Sequence, residues 1–427
     1  MKSWLTRVLA VAIAVVSSVI SIPASSAAPS FSWSVPSALT GLAGYSAALS
    51  TDGSVMLIGE STTGLYLSTD TGTTFNQVSS PNVTGTRYAV AMSGDGNKMF
   101  AVNYDDSSVA YSVDRGATWS LNSNAVAMNA GAACMSSDGS TWMTGGLNNA
   151  NAFVSTNNGT SWSIITSAGR GSWRACALSA TGLKRYLLNY DNNLYISNNS
   201  GSSWGTTTYY INTANCVAAT DDGSKVMQAN AIGDVYTSTT PLGGYNKIVA
   251  AYGGGGSFNG CSISGDGAVM VVGLNSYGPR LSVDSGVTWA TETGITYGQW
   301  TSVVVSRDGK KIIALSKTAI GNFIGTYTPP VAMTMGAGAA SVLTYRTVNT
   351  ITALPNYPGR VTFYANGKKI GNCVAVPTVG LVATCPYSPT IHGPVTLTAK
   401  FVPTDTAKSN VLTALFKTAV VARSNLR

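Results

Sequence analysis

The chain has 427 residues, 44% of them hydrophobic and only 10% charged, with a formal net charge of +8. Its glutamates are Glu60 and Glu292 and its one histidine is His392, which excludes a metal site built on several histidines; the scarcity of helix formers beside abundant β-branched and turn residues argues against a helical protein. The basic excess reflects few acids rather than dense bases, since no basic run is longer than Lys310-Lys311 or Lys368-Lys369, and no nucleic-acid groove is expected.

In chain order, a basic start with Lys2 and Arg7 precedes an apolar run over 8–22 and the small-residue stretch Ala24-Ser25-Ser26-Ala27-Ala28. This is the pattern of a secretory signal peptide (1–27), cleaved after Ala27 or Ala28. The expected product is extracellular, secreted or cell-surface associated, with no integral membrane segment after cleavage. Disulfides are permitted there.

A repeat occupies 28–327. Turns of the form Ser-x-Asp-Gly, or close variants, place glycines at 53, 96, 139, 182, 223, 267 and 309. Each turn lies between two β-like runs, as at 88–92 and 98–102, and Asp-Gly between such runs signals a hairpin. A third run, such as 65–67 or 193–196, leads into a second element, Ser-x-Asp-x-Gly-x-x-aromatic. Copies begin at Ser68, Ser112 and Ser282, with Asn in place of Asp in those beginning at Ser155 and Ser197, and a degenerate one spans 238–245.

This element resembles the Asp-box, or BNR repeat, of the β-propellers of sialidases, sortilin-type receptors, endo-glucanases and photosystem II assembly factors. The resemblance implies an all-β fold with a seven-bladed propeller, in which the Asp-boxes are folding staples and do not predict an enzyme. Their aromatics Trp119, Trp162, Trp204 and Trp289 are expected to be substantially buried between neighbouring sheets. The last repeat has three runs (301–305, 311–315 and 322–327) and no aromatic-tipped fourth. Phe31, Trp33 and Val35 supply one from the chain start, closing the seventh blade.

Alternation of strand connections puts both repeated turns on one face. The opposite face collects Tyr104, Arg170, Trp173, Arg174, Tyr190, Tyr252, Tyr277 and Trp300 round the channel mouth, with glycines over 253–256. Aromatics beside amide and guanidinium donors suit a glycan or a cell-surface protein. A non-catalytic binding or adhesion module is therefore expected, with no cofactor and no metal. The rival is a glycoside hydrolase on the same scaffold. For it Asp105, Asp106 and Asp191 are weak carboxylate candidates, and Arg87, Arg170, Arg174 and Arg280 supply arginines, but the Arg-Ile-Pro motif of sialidases is missing and only Glu60 or Glu292 is available to partner a tyrosine.

The composition changes at Thr328-Pro329-Pro330. In 328–427, runs over 341–354, 359–365 and 393–401 alternate like strands, and Asn366-Gly367 reads as a hairpin turn. The segments 359–370 and 393–403 resemble bacterial Ig-like repeat domains, implying a β-sandwich. His392 is read as an ordinary residue of this tail. Cys373 and Cys385 fall on neighbouring strands and are expected to pair. Cys134, Cys176, Cys216 and Cys261 lie just before turn glycines on successive innermost strands; they either pair as 134–176 and 216–261 or remain buried thiols.

Overall fold

The computed structural model describes residues 30–83, 88–122, 130–207, 211–249, 258–275, 277–292, 295, 298–317, 321–328, 333–335, 342–404 and 412–422. Residues 1–27, read above as a signal peptide, together with Arg87, Tyr252 and the 253–256 glycines, lie outside them. The chain divides into two compact units, Pro29–Thr328 and one containing Pro329–Arg427.

The first unit is all-β and propeller-like. The strands Gly44–Leu49, Tyr88–Met92, Ala130–Met135, Trp173–Leu178, Ala214–Ala219 and Phe258–Ile263 each begin an antiparallel sheet continued by the next three strands in the chain. In the last sheet Trp300–Val305, Lys311–Ser316 and Phe323–Thr328 are joined by Ser30–Ser34, which pairs antiparallel with Phe323–Thr328. The first strands of these sheets pack side by side in a closed circuit, the last against the first.

Turn chemistry explains the circuit. Ser50 Oγ donates to Asp52 Oδ1 and accepts from Val55 N, while Ser54 N donates to Asp52 Oδ1. Gly53 takes φ +67°, a conformation costly for residues with a Cβ. The residue after the serine is thereby turned toward the next sheet. Thr51 N donates to Gly94 O (2.7 Å), Gly94 N to Ser137 O (2.7 Å), Asp138 N to Ala180 O (2.9 Å) and Ala180 N to Asp221 O (2.7 Å). Asp221 N donates to Gly265 O (2.9 Å), Gly265 N to Arg307 O (2.7 Å) and Asp308 N back to Thr51 O (2.9 Å). The hairpin turns thus bond one another in a ring, satisfying backbone groups that would otherwise be orphaned.

The second repeated element is equally regular. Ser68 Oγ accepts from Gly72 N and donates to Asp70 Oδ1, and Asp70 accepts from Thr74 N and Thr74 Oγ1. Where Asn replaces Asp, Asn157 Oδ1 accepts from Ser161 N while its Nδ2 donates to Ser161 Oγ; Asn199 repeats this with Ser203. The aromatic that follows packs against the preceding sheet. Phe75 and Trp119 are buried, the latter beside Leu57, Leu65 and Val90, whereas Trp162, Trp204 and Trp289, contrary to the expectation of substantial burial, are only half-buried.

Two disulfides tie neighbouring first strands: Cys134–Cys176 (Cα–Cα 5.9 Å) and Cys216–Cys261 (5.8 Å). Of the two alternatives for these cysteines, pairing is the one realised.

In the second unit a sheet ordered Met333–Met335, Asn349–Pro355, Ala383–Tyr387 and a second sheet built on Val342–Thr344, Leu412–Ala422, Gly393–Pro403 and Gly359–Ala365 enclose a core. Ile351, Ala353 and Cys385 from the first meet Val361, Phe363, Leu397 and Phe401 from the second. The alternation along Gly393–Pro403 explains this: Val395, Leu397, Ala399 and Phe401 point inward and the residues between them outward. Cys373, whose carbonyl accepts from Phe363 N, is bonded to Cys385. His392 is exposed and stacks on Tyr345 at 3.7 Å.

Candidate functional site: the channel mouth

The first strands share a defect at the end opposite the hairpin turns. Pairing skips one residue in six sheets, between Gly44 and Ser46, Ala130 and Ala132, Trp173 and Ala175, Ala214 and Cys216, Phe258 and Gly260, and Trp300 and Ser302. Such bulges re-aim the extra side chain. The skipped residues include Tyr45, Arg174, Asn215 and Thr301, all half-buried. Each stands eight positions before its turn glycine (45 and 53, 174 and 182, 215 and 223, 301 and 309). Four sheets therefore set different side chains at equivalent places at the mouth, while the skipped position of a fifth is Gly131.

Arg174 is the best-defined member. Its Nη1 donates to Ala214 O (2.6 Å) and Asn215 Oδ1 (2.5 Å) on the next sheet. Its guanidinium carbon lies 3.8 Å from the ring centroid of Tyr190, which is 49% exposed. Tyr190 is held by its N–H, which donates to Ser172 O (2.8 Å). The result is a cation fixed between an aromatic and an amide, with no carboxylate in ion-pair range among the described residues. It suits a ligand that presents an acceptor to Arg174 and a flat face to Tyr190. Asn215 carries no motif of its own; its register to Gly223, eight positions on, is the signal that marks it.

Two expectations are corrected. Trp173 and Trp300 are 0% and 1% exposed. Trp173 Nε1 donates to Ala150 O and its side chain fills the space left by Gly145, where a Cβ would stand 2.4 Å from the Trp173 Cβ. Trp300 Nε1 donates to Tyr277 O and occupies the matching place over Gly273. Both rings are wedges between sheets and neither faces a ligand. Arg170 is exposed, but strand Arg170–Gly171 pairs with the third strand of the preceding sheet, so it stands apart from Arg174. Tyr104 and Tyr277 are half-buried on separate loops.

The acidic candidates belong to turns. Asp105 and Asp106 are exposed; Asp105 N donates to Asn103 Oδ1, and Asp106 Oδ1 accepts from Ser108 N. Asp191 is exposed in the equivalent turn two sheets on, where Asn189 Oδ1 accepts from Asn193 N. Glu60 is 1% exposed, and its Oε1 accepts from Ala43 N while Oε2 accepts the N–H and hydroxyl of both Thr62 and Thr63. Burial raises its pKa, but the donors of Thr62 and Thr63 outweigh burial and leave it below the ordinary value. Glu292 accepts from Trp33 Nε1 (2.9 Å). Both glutamates thus hold strands and loops in place.

No protein-family model matches the chain, and no curated protein does. Solved structures are similar in fold. YCF48 from Cyanidioschyzon merolae aligns with TM-score 0.54 and 12% identity over 69% of this chain and 98% of that one. YCF48 bound to D1 peptide aligns with TM-score 0.54 and 12% identity over 70% and 95%. The WD40 repeats of RRP9 align with TM-score 0.54 and 10% identity over 70% and 100%. At these identities the likeness shows a β-propeller fold alone.

Proposed function

We propose that the protein is an exported, non-catalytic binding module. In this reading a seven-bladed propeller, with Asp-boxes as its staples, carries a ligand site at the mouth opposite them and is followed by an Ig-like domain. The observation that carries the proposal is Arg174, anchored by Ala214 and Asn215 under the exposed ring of Tyr190. A glycan or an extended segment of a surface protein offers the acceptor and flat face this pair suits. A similarly folded neighbour is described as bound to a peptide, which favours a protein partner. The three disulfides suit an oxidising compartment. The hydrolase reading has only the turn aspartates Asp105, Asp106 and Asp191 to rest on.

An array of neutral and acidic glycans and of surface-protein peptides, probed with the mature protein, tests the proposal, paired with a general glycosidase assay. Binding without turnover is expected. Turnover abolished by Asp105→Asn or Asp191→Asn overturns it.

A further inference from the structure

The net charge of +8 is not spread over the chain. Residues 329–427 contain nine Lys and Arg and one acid, Asp405, a net +8; residues 29–328 contain fourteen Lys and Arg and sixteen acids, a net −2. The tail therefore carries the whole excess, dispersed along the chain rather than in runs. A domain of about a hundred residues with one carboxylate has almost nothing with which to pair its cations.

The sheet register places several of these cations together. Cross-strand partners share a face of the sheet. Arg360 pairs with Val402, Thr362 with Lys400, Tyr364 with Thr398 and Tyr364 with Lys369. Their neighbours Val361, Phe363, Ala399 and Phe401 point into the core, so Arg360, Tyr364, Lys369, Lys400 and Val402 share the outer face. Lys400 Nζ lies 5.5 Å from the Tyr364 ring centroid. At the Gly359 end of the sheet, Thr378 N donates to Gly359 O, which brings the following turn alongside. That turn presents Val379, 80% exposed, and Leu381, 42% exposed.

We propose that this face docks on an anionic lipid bilayer, peripherally and without a spanning segment. Three features favour a bilayer over a soluble polyanion. The face is an open sheet surface rather than a groove. Its cations are interleaved with a tyrosine and a valine, the composition of an interfacial surface. Its margin carries Val379 and Leu381, aliphatic groups that a sugar or phosphate chain has no use for and the headgroup boundary does. Basic residues near such a surface each strengthen attraction and are screened by salt. The inference stands on the tail alone and does not depend on the ligand of the first unit.

The test is co-sedimentation of the mature full-length protein with vesicles of phosphatidylcholine, with and without phosphatidylglycerol. Binding is expected only to the anionic vesicles and falls as salt rises. Arg360→Glu with Lys400→Glu lowers the partition coefficient by at least about tenfold. Val379→Asp with Leu381→Asp lowers it also, while leaving retention of dextran sulfate unchanged. These side chains are exposed, and circular dichroism of each variant confirms folding. Equal sedimentation with both vesicle types overturns the proposal, as does binding indifferent to Arg360→Glu with Lys400→Glu. Retention of dextran sulfate with vesicle binding insensitive to Val379→Asp and Leu381→Asp overturns it in favour of a soluble polyanion.

Discussion

Arg307 and Asp221, on turns two sheets apart, form an ion pair across Gly265: Nη2 and Nε of Arg307 lie 2.5 and 2.7 Å from Asp221 Oδ1. Arg307 Nη1 also donates to Ala219 O (3.0 Å). A Cβ on Gly265 would stand 2.0 Å from Asp221 Oδ2, so the intervening turn has to be side-chain-free. Gly265→Ala is predicted to destabilise by about 1–3 kcal/mol through overpacking. Asp221→Ala alone should cost about 1 kcal/mol, because the pair is partly exposed. In the double variant the clash is relieved, so urea denaturation should give a loss smaller than the sum.

The closing strand is the second test. Ser30–Ser34 pairs with Phe323–Thr328, Phe31 stacks on Tyr327 at 4.9 Å, and Trp33 covers Gly325. Deleting Ser30–Ser34 removes these contacts and bares a sheet edge. A loss of about 3–5 kcal/mol is expected, with a lower melting temperature and aggregation by light scattering.

The repeated turns predict acid sensitivity. Thr74 N–H and hydroxyl and the Ser68 hydroxyl hold Asp70 at about 2, from 3.8. Ser224 N–H and the Thr220 hydroxyl hold Asp222 at about 2. Asp114 is lowered in the same direction by the Thr118 donors, and Asp284, which burial raises, is brought below its ordinary value by the Thr288 and Ser282 donors. A depressed carboxylate binds protons more weakly folded than unfolded, so its stabilisation is full above the unfolded value and lost as pH falls toward the folded one. The urea midpoint is expected to fall between about pH 4 and pH 2. Asp70→Asn should keep the turn, as Asn157 and Asn199 already do, and reduce the pH dependence; Asp70→Ala should lower the melting temperature.

Trp173→Ala and Trp300→Ala are expected to destabilise by about 3–5 kcal/mol each, as buried rings do. Opening Cys134–Cys176, which closes a loop of 42 residues in sequence separation, should cost about 4 kcal/mol in the chain-entropy account. Thermal melts of Trp173→Ala, and of Cys134→Ala with Cys176→Ala, check both.

Much of this fold is written in short-range turn chemistry, which is why it is legible. Ser50, Asp52 and Gly53 need each other within one hairpin, and the trio recurs before Gly96, Gly139, Gly267 and Gly309, with Thr181 for Asp before Gly182 and Thr220 for Ser before Gly223, which exposes the period. The site is less legible because its geometry comes from relations between sheets. Trp173 beside Arg174 reads as a surface pair, yet the bulge sends the two side chains opposite ways, one under Gly145 and one to Asn215. Arg170 reads as their neighbour but pairs back to Asn151. The skipped position becomes visible only when residues are counted back from the turn glycine.

The proposed function rests on a ligand held at the mouth by Arg174 and Tyr190. The most direct measurement compares the parent protein with Tyr190→Ala and Arg174→Gln on the glycan and peptide array, with melting temperatures taken in parallel. Whatever the parent binds is expected to be lost or weakened at least about tenfold in both variants, about 1.4 kcal/mol, with the melt of Tyr190→Ala unchanged. Full retention of the same spots by Tyr190→Ala and Arg174→Gln would contradict it.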